Sequence, residues 1–421
     1  MLPDARSIAA RVVERVLVDA AYVSATLDAE LRRHPQLDPR ERALATELSY
    51  GTLRAEPALR ARLFVHAPRG VSDERVLAQL LVAAYQILLL DRVPAFAAVD
   101  AAVTGVKRDR GPRVAGFANA VLRKLARTGE KLSWAQALRE AVPDWLWAEL
   151  LGAIGEEEST ALLNAESVTG LRRRLGVSEP DWMQALTLGR VSPVARLVRG
   201  EGDPRQKPGY AEGAFTVQEE GAQVVGLALG ARAGEKVLDA CAGRGQKATL
   251  LAERLGQGRL VACDLYPEKL QALAEERERL QLPEIETRAV DWTVGQGGLP
   301  QDFDRVLVDA PCSGTGTLRR RPEILRRLGP GDPARLGELS EAILRSASSR
   351  VRPGGSVVFA VCSVLRQEGE DVVARVSDVL EPAPFDAPEL PSELTSGKTS
   401  LRLLPGQHGT DGYYLASFRR R

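Results

Sequence analysis

The period of apolar and polar positions changes once along this chain. Up to about residue 128 it is helical. Ile8, Val12, Val13 and Val16–Leu17 recur at helical spacing, and the span from Met1 to Ala21 reads as an amphipathic helix. Asp38-Pro39-Arg40-Glu41 opens a further helix, with Asp38 as N-cap and Pro39 at the first position, continuing through Leu44, Leu48 and Leu53. Val76 to Leu90 is almost wholly apolar, which predicts a central buried helix. Phe117, Val121, Leu122 and Leu125 share one face of a last helix, completing an all-α bundle over 1–128. Residues 129–212 carry weaker signals: a helix around Trp145, Leu146 and Leu150-Leu151, a strand at Leu171 to Leu175, and a polar break at Asp203 to Gly209.

From about 213 the pattern becomes strand, turn, helix. Strands are expected at Lys236–Asp239, Leu260–Asp264, Glu286–Val290, Val306–Asp309 and Val357–Ala360. Helices are expected at Lys247–Leu255, Pro267–Leu280, Leu336–Val351 and Glu368–Val379. This alternation predicts an α/β domain over 213–421 with a doubly wound, mostly parallel sheet. Leu401–Leu404 and Tyr413–Phe418 read as a closing antiparallel pair.

Composition narrows the class. An apolar fraction of 44% without a run of about 18 apolar residues predicts a soluble protein with no membrane span. The first helix carries Asp4, Glu14 and Asp19, unlike a signal or transit peptide. Four cysteines, all after residue 240, do not make a disulfide scaffold and fit a reducing cytoplasm. The net charge of +1 is uneven, because residues 1–128 hold 20 Lys+Arg against 14 Asp+Glu. A basic helical region suits a polyanionic partner.

The chemistry concentrates at strand ends. Asp239-Ala240-Cys241-Ala242-Gly243-Arg244-Gly245-Gln246-Lys247-Ala248 joins a strand to its helix, and its small residues let a ligand approach the backbone. Asp264 ends the next strand, where a carboxylate can meet a ribose diol, and Asp291 follows the third, within reach of an adenine amino group. Gly243-x-Gly245-x-x-Ala248 formally satisfies a dinucleotide fingerprint, but an acid at the first strand's end, Asp239, is more typical of S-adenosylmethionine enzymes. Cys312, in Asp309-Ala310-Pro311-Cys312-Ser313-Gly314, and Cys362, in Val361-Cys362-Ser363, follow two other strands. Either thiol alone reads as a small buried hydrophobe, whereas two on one sheet edge suggest thiol chemistry in a shared cleft. Cys241 and Cys263 read as turn or core residues. There is no CxxC and the three histidines are scattered, so no metal is expected. Arg319–Arg321 and Arg326-Arg327 suit phosphate contacts or a solvated helix face. His408-Gly409-Thr410-Asp411-Gly412 is a tight turn or a substrate contact.

Together the cofactor turn, Asp264, the Pro-Cys-Ser and Cys-Ser segments and the His408–Gly412 turn resemble the Nop/Sun family of RNA cytosine-C5 methyltransferases. Phe215-Thr216-Val217-Gln218-Glu219 resembles that family's entry to the fold. Ala43 to Arg54 and Phe117 to Arg123 resemble a NusB-like RNA-binding domain, which points to the type acting on small-subunit ribosomal RNA. The resemblance implies a Rossmann-like S-adenosylmethionine methyltransferase domain over 213–421, a NusB-like bundle over 1–128, an intermediate RNA-binding or linker part over 129–212, and a cytoplasmic monomer. It implies that Cys241 to Lys247, Asp264, Asp291 and Asp309 bind the cofactor. Cys362 is then the nucleophile and Cys312 assists proton removal and release, with Asp309 on the cytosine edge. One departure stands out: the family reads Ala-Pro-Gly-Gly-Lys where this chain has Gly243-Arg244-Gly245-Gln246-Lys247. Two other classes share parts of the pattern. An NAD-dependent dehydrogenase would use the turn and Asp264 but leave both thiols idle; a non-catalytic RNA-binding assembly factor would fit an altered cofactor loop.

Overall fold

The computed structural model describes residues 4–166, 168–199 and 202–421, so Met1 to Pro3 of the first expected helix lie outside the described residues. The chain forms two compact units. One comprises the residues up to Ala148 together with Leu318–Leu328; the other comprises Glu149–Thr317 and Gly329–Arg421.

The first unit is helical: α1 (Ala5–Val18), α2 (Val23–Arg33), α3 (Pro39–Arg54), α4 (Glu56–His66), α5 (Glu74–Leu89), α6 (Ala95–Arg127) and α7 (Trp134–Ala141). The Asp38 carboxylate caps α3 by accepting from the Glu41 amide at 2.9 Å. Helix α5 is buried from Val76 to Leu88 and forms the centre of the unit's core. The expected face of the last helix is corrected by one position. Phe117 is 40% exposed while Ala118, Val121, Leu122 and Leu125 are buried, because positions 118, 122 and 125 follow the helical repeat and 117 falls off it. The next helix, α8 (Asp144–Asn164), is interrupted at Gly155.

In the second unit a small antiparallel sheet precedes the large one. Its strands β1 (Thr169–Arg173), β2 (Thr187–Leu188), β3 (Ala195–Val198) and β4 (Phe215–Val217) lie in the order β2-β3-β1-β4, with the short helix α9 (Asp181–Gln184) between β1 and β2. The large sheet contains β5 (Lys236–Asp239), β6 (Arg259–Asp264), β7 (Glu286–Ala289), β8 (Phe303–Asp309), β9 (Val351–Val361), β10 (Leu380–Pro382), β11 (Ser400–Leu403) and β12 (Tyr413–Arg420). Its order is β10-β12-β9-β8-β5-β6-β7, with β11 also on β12. The pairs from β9 to β7 are parallel and those of β12 antiparallel.

Alternation along these strands buries both faces. Val237, Leu260, Ala262, Leu307, Val358 and Ala360 pack in one cluster with α10 (Glu220–Ala228), α11 (Gln246–Leu255) and α12 (Pro267–Arg279). Leu238, Val261, Val306, Val308, Val357 and Phe359 pack in another with α14 (Asp332–Ser348) and α15 (Glu370–Arg375); the short α13 (Ile324–Arg327) belongs to the helical unit. A sheet buried on both faces reads as continuous apolar strands, which is how these segments look in sequence. Strand order reverses between β5 and β8, so the loops after β5, β6 and β8 open onto one crevice at their carboxyl ends. Among the described residues no helix is long and apolar enough to cross a membrane.

Candidate active site

The loop after β5 is shaped by backbone hydrogen bonds across the strand ends. The Ala242 amide donates to the Cys263 carbonyl at 2.7 Å, and the Gly243 amide donates to Asp264 Oδ2 at 3.0 Å. Gly245 caps α11 with φ 86°, and a Cβ there would lie 2.4 Å from Leu273 Cγ, so glycine is required on both counts. Asp264 Oδ1 accepts from the Tyr266 amide at 2.9 Å. Asp291 holds its own turn, accepting from the Thr293 amide at 2.9 Å and its hydroxyl at 2.6 Å, and these bonds keep its carboxyl below the usual range. Trp292, which sequence reasoning noted only as a neighbour of Asp291, is buried and donates Nε1–H to the Ala240 carbonyl at 2.7 Å, tying this turn to the cofactor loop.

Arg244 and Gln246 replace the proline and a glycine of the related pattern. Both are exposed, and the Gln246 amide reaches back to the Val217 carbonyl at 3.2 Å. The added bulk therefore lies on the exposed side of the loop.

Lys247 and Asp309 are brought together, with Nζ 2.7 Å from Oδ2. Burial would depress the Lys247 ammonium, but Asp309, Cys362 and Asp239 outweigh it and leave its pKa raised. Asp239, at the end of β5, is fully buried, and no donor meets either carboxylate oxygen in good hydrogen-bond geometry, although the Cys241 amide acts on it. Its pKa is pushed up to about 7, by burial first and the Asp309 charge second, against the pull of Lys247. An orphaned buried carboxylate is an unmet electrostatic demand. S-adenosylmethionine carries an ammonium, so this donor set fits that cofactor, with Asp264 available to the ribose.

The orphan also predicts a pH effect. A carboxyl raised in the folded state stabilises the fold at low pH, and that stability is lost as pH rises from about 4 to about 7. Wild-type protein without cofactor is expected to lose about 1.4 kcal/mol per pH unit relative to Asp239→Asn across that window. Urea unfolding at several pH values measures it, and a difference that stays constant with pH would contradict the assignment.

The two thiols meet. Cys312 Sγ lies 3.3 Å from Cys362 Sγ. Parallel pairing of β8 with β9 sets Asp309 beside Ala360, so the chains leave the sheet at the same level. The Gly316 amide then donates to the Cys362 carbonyl at 3.0 Å, and the Gly412 amide to the Gly316 carbonyl at 2.8 Å. The His408–Gly412 turn thus backs the thiol loops, and its Asp411 amide donates to Glu219 Oε1 at 2.9 Å. The Cys312 pKa is raised well above the usual thiol value, by pairing with Cys362 first and by burial second. Cys241 is raised by burial and by the neighbouring carboxylates, and Cys263 is pushed up to about 12 by burial and Asp239, so neither is poised to react.

Two expectations are corrected, and one residue was missed. The stretch Glu368–Val379 is not one helix: a 3-10 turn, Arg366–Glu368, is separated from α15 by Gly369, where a Cβ would crowd the Tyr414 ring at 3.0 Å. The arginine run after Cys312 is not a solvated helix face. Arg319 is buried, Arg326 pairs with Glu56 at 2.9 Å, and Arg327 bonds the Ala20 and Ala21 carbonyls, all within the helical unit. Glu368, missed in sequence, is buried beside both thiol loops and accepts from Ser313 and Ser363. Among the described residues no group of three or more His, Cys, Asp or Glu is arranged to hold a metal ion.

The family model described as 16S rRNA methyltransferase RsmB/F matches residues 226–419, and that of the NusB family matches residues 3–127. The probable ribosomal RNA small subunit methyltransferase B of Synechocystis sp. is 31% identical over 449 residues, covering 99% of this chain and 99% of that protein. The ribosomal RNA small subunit methyltransferase B of Vibrio cholerae is 33% identical over 411 residues, covering 90% of each. The crystal structure of PH0851 superposes with a TM-score of 0.84 at 20% identity, over 100% of this chain and 99% of that one, a likeness of fold.

Proposed function

We propose, from the premise that the chain belongs to the 16S rRNA methyltransferase RsmB/F family, that it methylates carbon 5 of cytosine in small-subunit ribosomal RNA. The observation that carries this reading is the contact of two thiols beside the Lys247–Asp309 pair, at the carboxyl edge that bears the cofactor loop. The cofactor is S-adenosylmethionine, which when bound supplies an electrophilic methyl group. Asp239, Gly243, Asp264 and Asp291 would hold it.

Carbon 5 of cytosine is a poor nucleophile until a thiolate adds at carbon 6. We assign that addition to Cys362. The family resemblance gives this division, and the 3.3 Å contact, across which either sulfur can donate, supports a joint role for the two thiols. The carbon 5 proton must leave before Cys362 can, and Cys312, once its own proton has passed to solvent, is the adjacent thiolate that takes it. Carbons 5 and 6 are bonded neighbours, so two touching sulfurs can serve one edge of one ring. Asp309, held by Lys247, would accept from the cytosine amino group. The base must be unpaired or flipped out to reach this crevice. The basic helical region, read as the RNA-binding module, suits a cytoplasmic ribosomal RNA substrate.

Bisulfite mapping of small-subunit ribosomal RNA tests the reading. One or more cytosines are expected to lose protection in a strain lacking this protein and to regain it on return of the wild type. An unchanged pattern, or tight binding of NAD with none of S-adenosylhomocysteine, would overturn it.

A further inference from the structure

One side chain braces both thiol loops and has no part in the chemistry described so far. Glu368 lies six residues after Cys362 and is fully buried. Its Oε1 accepts from the Ser313 amide at 2.5 Å. Its Oε2 accepts from the Ser313 hydroxyl at 2.5 Å and from the Ser363 hydroxyl at 2.6 Å. Ser313 is the residue after Cys312, and Ser363 the residue after Cys362. A single carboxylate thus ties together the two positions next to the two sulfurs.

The surrounding network explains why a carboxylate is needed there. The Thr315 hydroxyl lies 2.9 Å from that of Ser363, the Leu365 amide donates to Ser363 Oγ at 3.1 Å, and the Val364 amide donates to Thr315 Oγ1 at 3.3 Å. Every one of these hydroxyls and amides brings a hydrogen. The ionised carboxylate brings none, so the donors of the network can all end on it. Burial raises the Glu368 pKa, and the bonds from Ser313 and Ser363 pull it back. An amide or a protonated carboxyl at this position puts a hydrogen where the Ser313 and Ser363 hydroxyls point theirs, so at least one of these bonds must be lost or turned around.

We propose that Glu368 is the positioning residue that holds the Cys312 and Cys362 sulfurs at their working separation, by accepting from the serine beside each. The kinetic consequence rests on the function proposed above; the geometric one does not. Two reacting groups displaced by about 1 Å lose on the order of a hundredfold in rate. The chemistry should therefore suffer while the binding of cofactor and RNA, which uses other residues, is spared.

The test reads the sulfur separation without RNA. Diamide removes one hydrogen from each thiol, forming the Cys312–Cys362 bond and being reduced to its hydrazine; the sulfurs close from 3.3 Å to about 2.05 Å. The linked peptide is quantified by mass spectrometry, alongside melting temperature, S-adenosylhomocysteine affinity and steady-state kinetics on small-subunit RNA. Glu368→Gln and Glu368→Ala are expected to close the bond about tenfold more slowly or worse, and to lower kcat about a hundredfold, with KM for RNA and S-adenosylhomocysteine affinity within about twofold of wild type. Glu368→Asp, too short to span both serines, should fall with them. If alanine prevents folding, the glutamine variant carries the test. A folded variant that closes the bond at the wild-type rate overturns the proposal, as does a kcat loss matched by an equal loss of S-adenosylhomocysteine affinity. A wild type that closes the bond but methylates no RNA overturns the function, and the cross-linking comparison then decides the role of Glu368 alone.

Discussion

Cys362→Ala is expected to abolish methyl transfer, and Cys312→Ala to leave RNA covalently attached to the protein. Removing a covalent nucleophile takes away the step that makes carbon 5 reactive, and such losses run to about 10⁴-fold or more. Removing Cys312 leaves Cys362 able to add, while the carbon 5 proton no longer has its acceptor and the adduct persists. The 3.3 Å contact makes the contrast sharp, since both sulfurs reach neighbouring atoms of one ring edge. Labelled RNA run with each variant on a denaturing gel reads both outcomes. An adduct with Cys362→Ala and none with Cys312→Ala would exchange the two roles. A Cys312→Ala protein that turns over normally would show that another group removes the proton.

Lys247→Met is expected to cost about 3–5 kcal/mol of stability at pH 8 and to remove most of the activity. The Lys247 and Asp309 side chains are only 14% and 23% exposed, so solvent screens them little. Asp239, already pushed up to about 7, has Lys247 as its compensating cation and Asp309 as a like charge. Without the ammonium, Asp239 loses the cation that offsets burial and the Asp309 charge, and its pKa rises further. The sign follows from linkage: with the Asp239 carboxyl raised above its unfolded value, the folded state binds more protons, so stability falls as pH rises. The deficit of Lys247→Met should therefore be smaller at pH 5 than at pH 8, and Lys247→Arg should recover part of it. Urea unfolding at both pH values checks this, and an equal deficit at both would show that lost packing, not charge, is responsible.

Much of this arrangement was legible residue by residue. Asp239, Asp264, Asp309 and the two cysteines stand at or just past the ends of apolar strands, and such ends open on the ligand edge of a doubly wound sheet. Glu368 was not legible, because Val372, Val373 and Val376 repeat at helical spacing and drew the preceding residues into one expected helix. The signal against that helix is the glycine at 369, which breaks the run. For the arginines after Cys312, the solvated-face alternative fails for a different reason. Charge density says nothing of which carboxylate or carbonyl will fold against it, and Glu56, Ala20 and Ala21 lie some 270 or more positions away in the chain.

The sequence by itself determined the classes of element and the chemistry at their ends, because periodicity and turn residues report how each segment meets water and its own backbone. It decided that strands buried on two faces alternate with helices and that thiols and carboxylates follow those strands. Only the tertiary structure decided which of these groups touch. The contact of Cys312 with Cys362, the pairing of Lys247 with Asp309, the burial of Asp239 and the bridge made by Glu368 all depend on β8 lying beside β9 and β5 in one register. Strand neighbours and register are set by packing of the whole sheet against its helices, a long-range balance that no local pattern records.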